Sequence, residues 1–210
     1  MTVTTFKENT LLRGAGVACT NCFLAIWFGL FAYAHAVSFI ERPRLSILLM
    51  VVMEATAAVF LLIRRDPDET WHSWRTWIST TGGTLAPLLL RPTEVADDVW
   101  LGQILQISAC VMQIGAVLSL NRSFGLLPAY RGVQSNGLYR WVRHPLYSAY
   151  TVAITGYLIN NFTAYNLAIV LAGTAFQVMR IHHEERLLLG YPDYAHFAQR
   201  TRWRLIPSVW

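Results

Sequence analysis

The chain has 210 residues, of which 54% are hydrophobic and only 14% charged, against roughly 25% charged in ordinary soluble domains. That balance excludes an average soluble enzyme and points to an integral membrane protein. The net charge of +5 comes from sixteen Arg and one Lys set between apolar runs rather than along one strip, which fits orientation in a bilayer better than nucleic-acid binding.

Residues 1–10 are polar and lack a small-residue cleavage site, so no removed signal peptide is expected. Residues 16–40 form the first apolar run, long enough for a span of about 20 residues, and contain Asn21 and His35. A short polar turn, Glu41-Arg42-Pro43-Arg44, leads into a second run, 45–63, broken only by Glu54 and Thr56; the two runs are predicted to pair antiparallel. Residues 64–75 are charged, and the tryptophans Trp71, Trp74 and Trp77 suit the headgroup interface. The third run, 77–90, is weakened by Ser79 to Gly83, small residues that allow close helix approach. The fourth, 99–120, carries Gln103, Gln106 and Gln113.

The longest polar connection follows, 121–143, and Pro145 suits the first turn of a new helix because its missing N–H costs nothing there. Residues 146–159 are apolar but only about 21 Å long as a helix, short for a hydrocarbon core of about 30 Å. Asn160-Asn161 reads as a turn, 162–189 as one continuous helix, and Gly190-Tyr191-Pro192 as its stop. The expectation is an all-α polytopic membrane protein with about six hydrophobic helices, five to six of them spans, the last two a hairpin. With six segments, fourteen cations fall on one side and only Arg42, Arg44 and Arg91 on the other. The positive-inside rule then puts both termini in the cytoplasm.

Two polar clusters stand out. One is N-G-L-Y-R-W-V-R-H-P-L-Y, residues 136–147; the other is Arg180 to Arg186, with His182, His183, Glu184 and Glu185. On a helix Arg180 and Glu184 share a face, while Glu185 lies about 100° further round. If Arg180 holds Glu184, the other carboxylate is free to accept from ribose hydroxyls or an ammonium group. The plainer alternative is a solvated helix end with routine ion pairs. Arg143 and His144 immediately precede a helix start, whose free N–H groups and dipole favour a carboxylate or phosphate. Tyr139 and Tyr147 offer flat faces to an adenine or a sulfonium cation. Alternatively the arginines mark topology and the tyrosines form an interface belt. Metal is disfavoured: H-E-x-x-H is absent and no further Cys/His ligand motif is visible. Cys19 and Cys22 form a C-x-x-C without a second pair and are expected, with Cys110, to be small buried packing residues. His35 and Glu54 lie at similar depth across the first turn, either as a structural pair or as a substrate contact.

Taken together the motifs resemble a known family. Asn121-Arg122-Ser123-Phe124, then Gly137-x-Tyr139-Arg140-x-Val142-Arg143-His144-Pro145-x-Tyr147, then Glu184-Glu185-x-x-Leu188 and Gly190-Tyr191-x-x-Tyr194 are similar to the isoprenylcysteine carboxyl methyltransferases and their phospholipid methyltransferase relatives. The resemblance covers about residues 118–207. It departs from the family pattern at Leu138, where a proline is usual, at Ala149, where a glycine is usual, and at Arg202 in the tail, where a proline is expected. It implies an intramembrane methyltransferase using S-adenosyl-L-methionine, with a membrane scaffold over 16–117 and a cofactor-binding region over 118–207 of a single domain. Cofactor contacts would come from Gly137, Tyr139, Val142, Arg143, His144, Pro145, Tyr147, Glu184 and Glu185. Glu185 and Arg200 are the catalytic candidates, Arg200 matching a family arginine that orients the methyl acceptor. The partners implied are membrane lipids and an amphipathic or lipid-like acceptor entering from the bilayer, with no nucleic acid. Two rival readings are an NADPH-dependent reductase of a lipid double bond, since membrane sterol reductases share this C-terminal pattern, and a non-catalytic membrane component.

Overall fold

The computed structural model describes residues 10–63, 69–70, 74–94, 97–120, 123, 129–130 and 132–210. Asn121, Arg122 and Phe124 of the N-R-S-F motif, Trp71, and Lys7, Arg64, Arg65 and Arg131 of the charge count lie outside the described residues.

Among the described residues seven α-helices follow one another: α1 (Thr10–Glu41), α2 (Leu45–Ile63), α3 (Trp74–Leu85), α4 (Trp100–Leu120), α5 (Pro145–Asn160), α6 (Ala164–Leu188) and α7 (Pro192–Arg200). Two-residue strands β1 (Glu69–Thr70) and β2 (Ala129–Tyr130) pair antiparallel between the loops, and the architecture is otherwise all-α. Among the described residues four helices are long and apolar enough to cross a membrane: α1 from Ala18, α2, α4 and α6. The weak third run divides at Pro87, where α3 gives way to a 3₁₀ turn at Ala86–Leu89. Pro145 opens α5, and its 16 residues reach about 24 Å. Thr163 caps α6 by accepting from the Asn166 N–H. This satisfies one of the donors that every helix start leaves open.

The helices expose apolar side chains and bury polar ones between them. On α4 the buried stripe is Gly102, Gln106, Ala109, Gln113 and Ala116, spaced four and three apart, while Leu101, Ile104, Val111 and Leu118 are exposed. In lipid the hydrophobic effect does not drive these helices together; small residues and interhelical hydrogen bonds do. Gln106 and Gln113 accordingly donate to the Ser46 and Met53 carbonyls of α2. α4 also packs along α5, where a Cβ at Gly156 would sit 2.7 Å from the Gly102 carbonyl. α1 pairs with α2, as expected, and α3 lies along α6.

The same rule corrects the reading of the cysteines. Cys110 is buried, but Cys19 and Cys22 are exposed, on the α1 face that also exposes Phe23 and Ile26. An apolar residue in a spanning helix gains nothing by turning inward, so burial does not follow from its being apolar.

α1 and α2 meet at one end of the bundle, where the α5–α6 turn and the loop before α4 also lie. We refer to it as the Arg44 end. The opposite end carries the start of α5, the end of α6, α7 and the tail, and is the Glu185 end.

Candidate functional site

At the Glu185 end the chain around Arg143 is held by its own C-terminus. The Arg143 N–H donates to the Trp203 carbonyl and the His144 N–H to Arg204, both at 2.9 Å. Ser148 Oγ donates to the Leu205 carbonyl at 2.7 Å. Just upstream, the 3₁₀ turn Gly137–Arg140 begins at a residue with φ of 59°, a region that favours glycine. A Cβ at Gly137 would also collide with the Ser119 hydroxyl of α4. Gly137 therefore sets the approach of the loop to α4.

This framework aims four side chains at one carboxylate. Glu185 accepts from His144 Nε2 and Tyr194 Oη at 3.0 Å, pairs with Arg143 Nη2 at 3.1 Å and accepts from Arg204 Nε at 3.2 Å. Its side chain is 4% exposed. A buried ionised group is tolerated only when paired and hydrogen-bonded, and here both oxygens are engaged from the residues just before α5, from α7 and from the tail. Burial pushes the Tyr194 phenol up, and the Glu185 carboxylate adds to that, so Tyr194 remains a proton donor in this bond.

Glu184 behaves differently. Among the described residues its hydrogen-bond donor is Tyr147 Oη, at 2.6 Å, and it lines a cavity that Glu185 does not reach. The Tyr147 ring stacks at 5.4 Å on His144 and lies 4.8 Å from the Arg180 guanidinium. Arg180 donates to Thr84 Oγ1 and is buried. The cavity wall at this end thus presents an anion, an aromatic ring and a cation within one helical turn.

The condition that Arg180 hold Glu184 is not met among the described residues: the Arg180 guanidinium lies over Tyr147, and it is Glu185 whose bonding capacity is consumed by protein. Likewise the anion that Arg143 and His144 hold is Glu185 itself, and their backbone N–H groups serve the tail.

The cavity has a volume of about 220 Å³. Tyr139, Arg143, His144, Tyr147, Glu184 and Tyr194 line its polar end. Burial, with the Glu184 charge, raises the Tyr139 phenol well above its ordinary range, so it too stays protonated. From there the cavity runs between the helices past Tyr150, Met53, Ala57 and Ile154 to Leu88 and Val170.

Of the residues expected to contact a cofactor, Gly137, Val142, Pro145 and Glu185 do not line the cavity; they shape the segment that does. Arg200 ends α7, is exposed and is also outside it. Three neighbours of the cavity end were missed: Arg204 on Glu185, Tyr150, and Arg180 as a cavity residue. Arg180 was legible as an intramembrane charge, whereas Arg204 became a partner only through the fold of the tail. His183 Nδ1 bonds Ser79 Oγ and His182 Nδ1 the Val178 carbonyl. Among the described residues no three His, Cys, Asp or Glu side chains gather as a metal site.

Bilayer-length helices enclosing a cavity with a charged, aromatic end define an integral membrane protein with a buried cavity. Residues 99–190 match the family model of the isoprenylcysteine carboxyl methyltransferase (ICMT) family, the family that the motifs resemble. The match takes in α4, α5 and α6 with both polar clusters, and ends before Tyr194 and Arg200. No curated protein matches the chain.

Proposed function

We propose that the protein is an integral membrane methyltransferase that uses S-adenosyl-L-methionine and methylates a lipophilic acceptor. One observation carries the reading: a cavity joins a wall of Arg180, Tyr147 and Glu184, all in the family-matched stretch, to an apolar lining between the helices. The donor set suits the cofactor. Glu184 is a carboxylate with capacity left for ribose hydroxyls or an ammonium group. Arg143 Nε is buried without a partner among the described residues and suits a carboxylate. The bound cofactor supplies an electrophilic methyl group on a sulfonium sulfur.

What falls to the chain is positioning and electrostatics. Glu185 holds Arg143, His144, Tyr194 and Arg204 in register. Glu184 and Arg180 orient charged ends, and the helices exclude water, which strengthens each polar contact. At about 220 Å³ the cavity is smaller than the roughly 300–1,000 Å³ that encloses a drug-sized ligand, so an acceptor tail extends past it towards the bilayer. The cation count supports a cytoplasmic Glu185 end, where the cofactor is available.

Calorimetric titration of the purified protein with S-adenosylhomocysteine and with NADPH tests this. Heat from the first and none from the second is expected. Heat from NADPH alone would transfer the site to a lipid reductase.

A further inference from the structure

Deep in the cavity lies a carboxylate that the site described so far does not use. Glu54 is nine residues from the Ile63 end of α2, about 13 Å along the helix from the Glu185 end. It is 4% exposed and lines the cavity. Its Oε2 is bonded to His35 Nδ1 of α1 at 3.0 Å, whereas its Oε1 is buried with no partner among the described residues. Beside it stands Gln113 of α4. The Gln113 Nε2 donates to the carbonyl of Met53 at 3.2 Å, which fixes the sense of the amide. That leaves Gln113 Oε1 buried, without a partner among the described residues, in the same cavity. The surroundings are Met50, Met53, Ala57 and Ile154.

A buried carboxylate oxygen with nothing to accept from is costly, and intramembrane ionisable groups mark substrate paths. The His35 contact orients Glu54, and packing alone does not require the second oxygen. We propose that Glu54, held by His35 and flanked by Gln113, receives the polar head of the lipophilic acceptor, and that this head is a hydrogen-bond donor, an amine or hydroxyl. A carboxylate head would meet two acceptor oxygens and a like charge, and is selected against. The site thus favours a different acceptor from the carboxyl in the family's description. Gln177 of α6 lines the same cavity with its Nε2 without a partner among the described residues, suited to the lone pairs of the same head. That the ligand is the methyl acceptor rests on the methyltransferase reading; that the site takes a donor head does not.

The test uses the full chain in lipid nanodiscs and three probes sharing one apolar body: farnesylamine, farnesol and farnesoic acid. Amine and alcohol are expected to bind at least about tenfold more tightly than the acid, the scale of one hydrogen bond to a charged group. Glu54→Gln should remove most of that preference, and Gln113→Leu should reduce it. S-adenosylhomocysteine affinity of each variant serves as the fold control. Equal or tighter binding of the acid by the unmodified protein overturns the proposal, as does failure of all three probes to bind, and neither needs a variant. A preference that survives Glu54→Gln overturns it too. Head selectivity without S-adenosylhomocysteine binding would sink the methyltransferase reading and leave the Glu54 site standing; the reverse pattern would do the opposite.

Discussion

Each end of the bundle is organised around one buried carboxylate. At the Arg44 end Asp98 accepts from Arg44 Nε and Nη2, from the Ser46 N–H and from Ser46 Oγ, at 2.6–3.0 Å. Arg44 reaches on to the carbonyls of Thr93 and Asn160 and to Asn161 Oδ1. The chemistry is that of the Glu185 hub: a carboxylate saturated by protein donors. The difference is what stands beside it. Asp98 joins α2, the loop before α4 and the α5–α6 turn, and no Asp98 or Arg44 atom faces the cavity. Glu185 fastens α6 to Arg143 and His144, which do face it. A saturated carboxylate is thus a brace at both ends, and becomes part of a site only where its partners also line a cavity.

The largest expected effect is common to both. Glu185→Ala and Asp98→Ala each strand buried cations and should destabilise by about 3–5 kcal/mol, read as a fall in the thermal midpoint in detergent. The milder Asp98→Asn and Glu185→Gln then separate the two ends. The first should leave S-adenosylhomocysteine affinity nearly unchanged, and the second should weaken it by about tenfold or more. Equal losses would mean that both hubs are only braces.

Next in size is Gly156→Val, which forces α5 away from the Gly102 carbonyl and should cost about 1–3 kcal/mol by overpacking, again measured as the thermal midpoint. Glu184→Gln sharpens the contrast inside one cluster. It should barely move the thermal midpoint but weaken S-adenosylhomocysteine by about tenfold, near 1.4 kcal/mol. A larger stability loss than for Glu185→Gln would reverse the assignment of the two glutamates. Smallest is Arg200→Ala: exposed and outside the cavity, it should change that affinity by less than about twofold, as surface substitutions do.

Much of the frame was legible from the amino-acid sequence. Apolar runs marked the four long helices, Pro145 marked the start of α5, and Gly190-Tyr191-Pro192 marked the end of α6. The pairing of His35 with Glu54 followed from residue counts on either side of a short turn, because rise per residue is a fixed property of a helix. The two polar clusters that build the cavity end were likewise visible as clusters.

Rotation and long-range closure were not. Adjacent residues on a helix differ by about 100°, so only the packing of α6 against α5 and α7 decides that Glu184 faces the cavity and Glu185 the hub. Arg44 counted as a topology charge until the fold brought Asp98, 54 residues away, to its guanidinium. Cys19 and Cys22 are apolar by type yet turn outward, since lipid does not select against it. The sequence by itself determined depth along each helix and the kinds of groups available there. Which of those groups meet was decided by tertiary structure alone, because rotation about a helix axis depends on what packs against it.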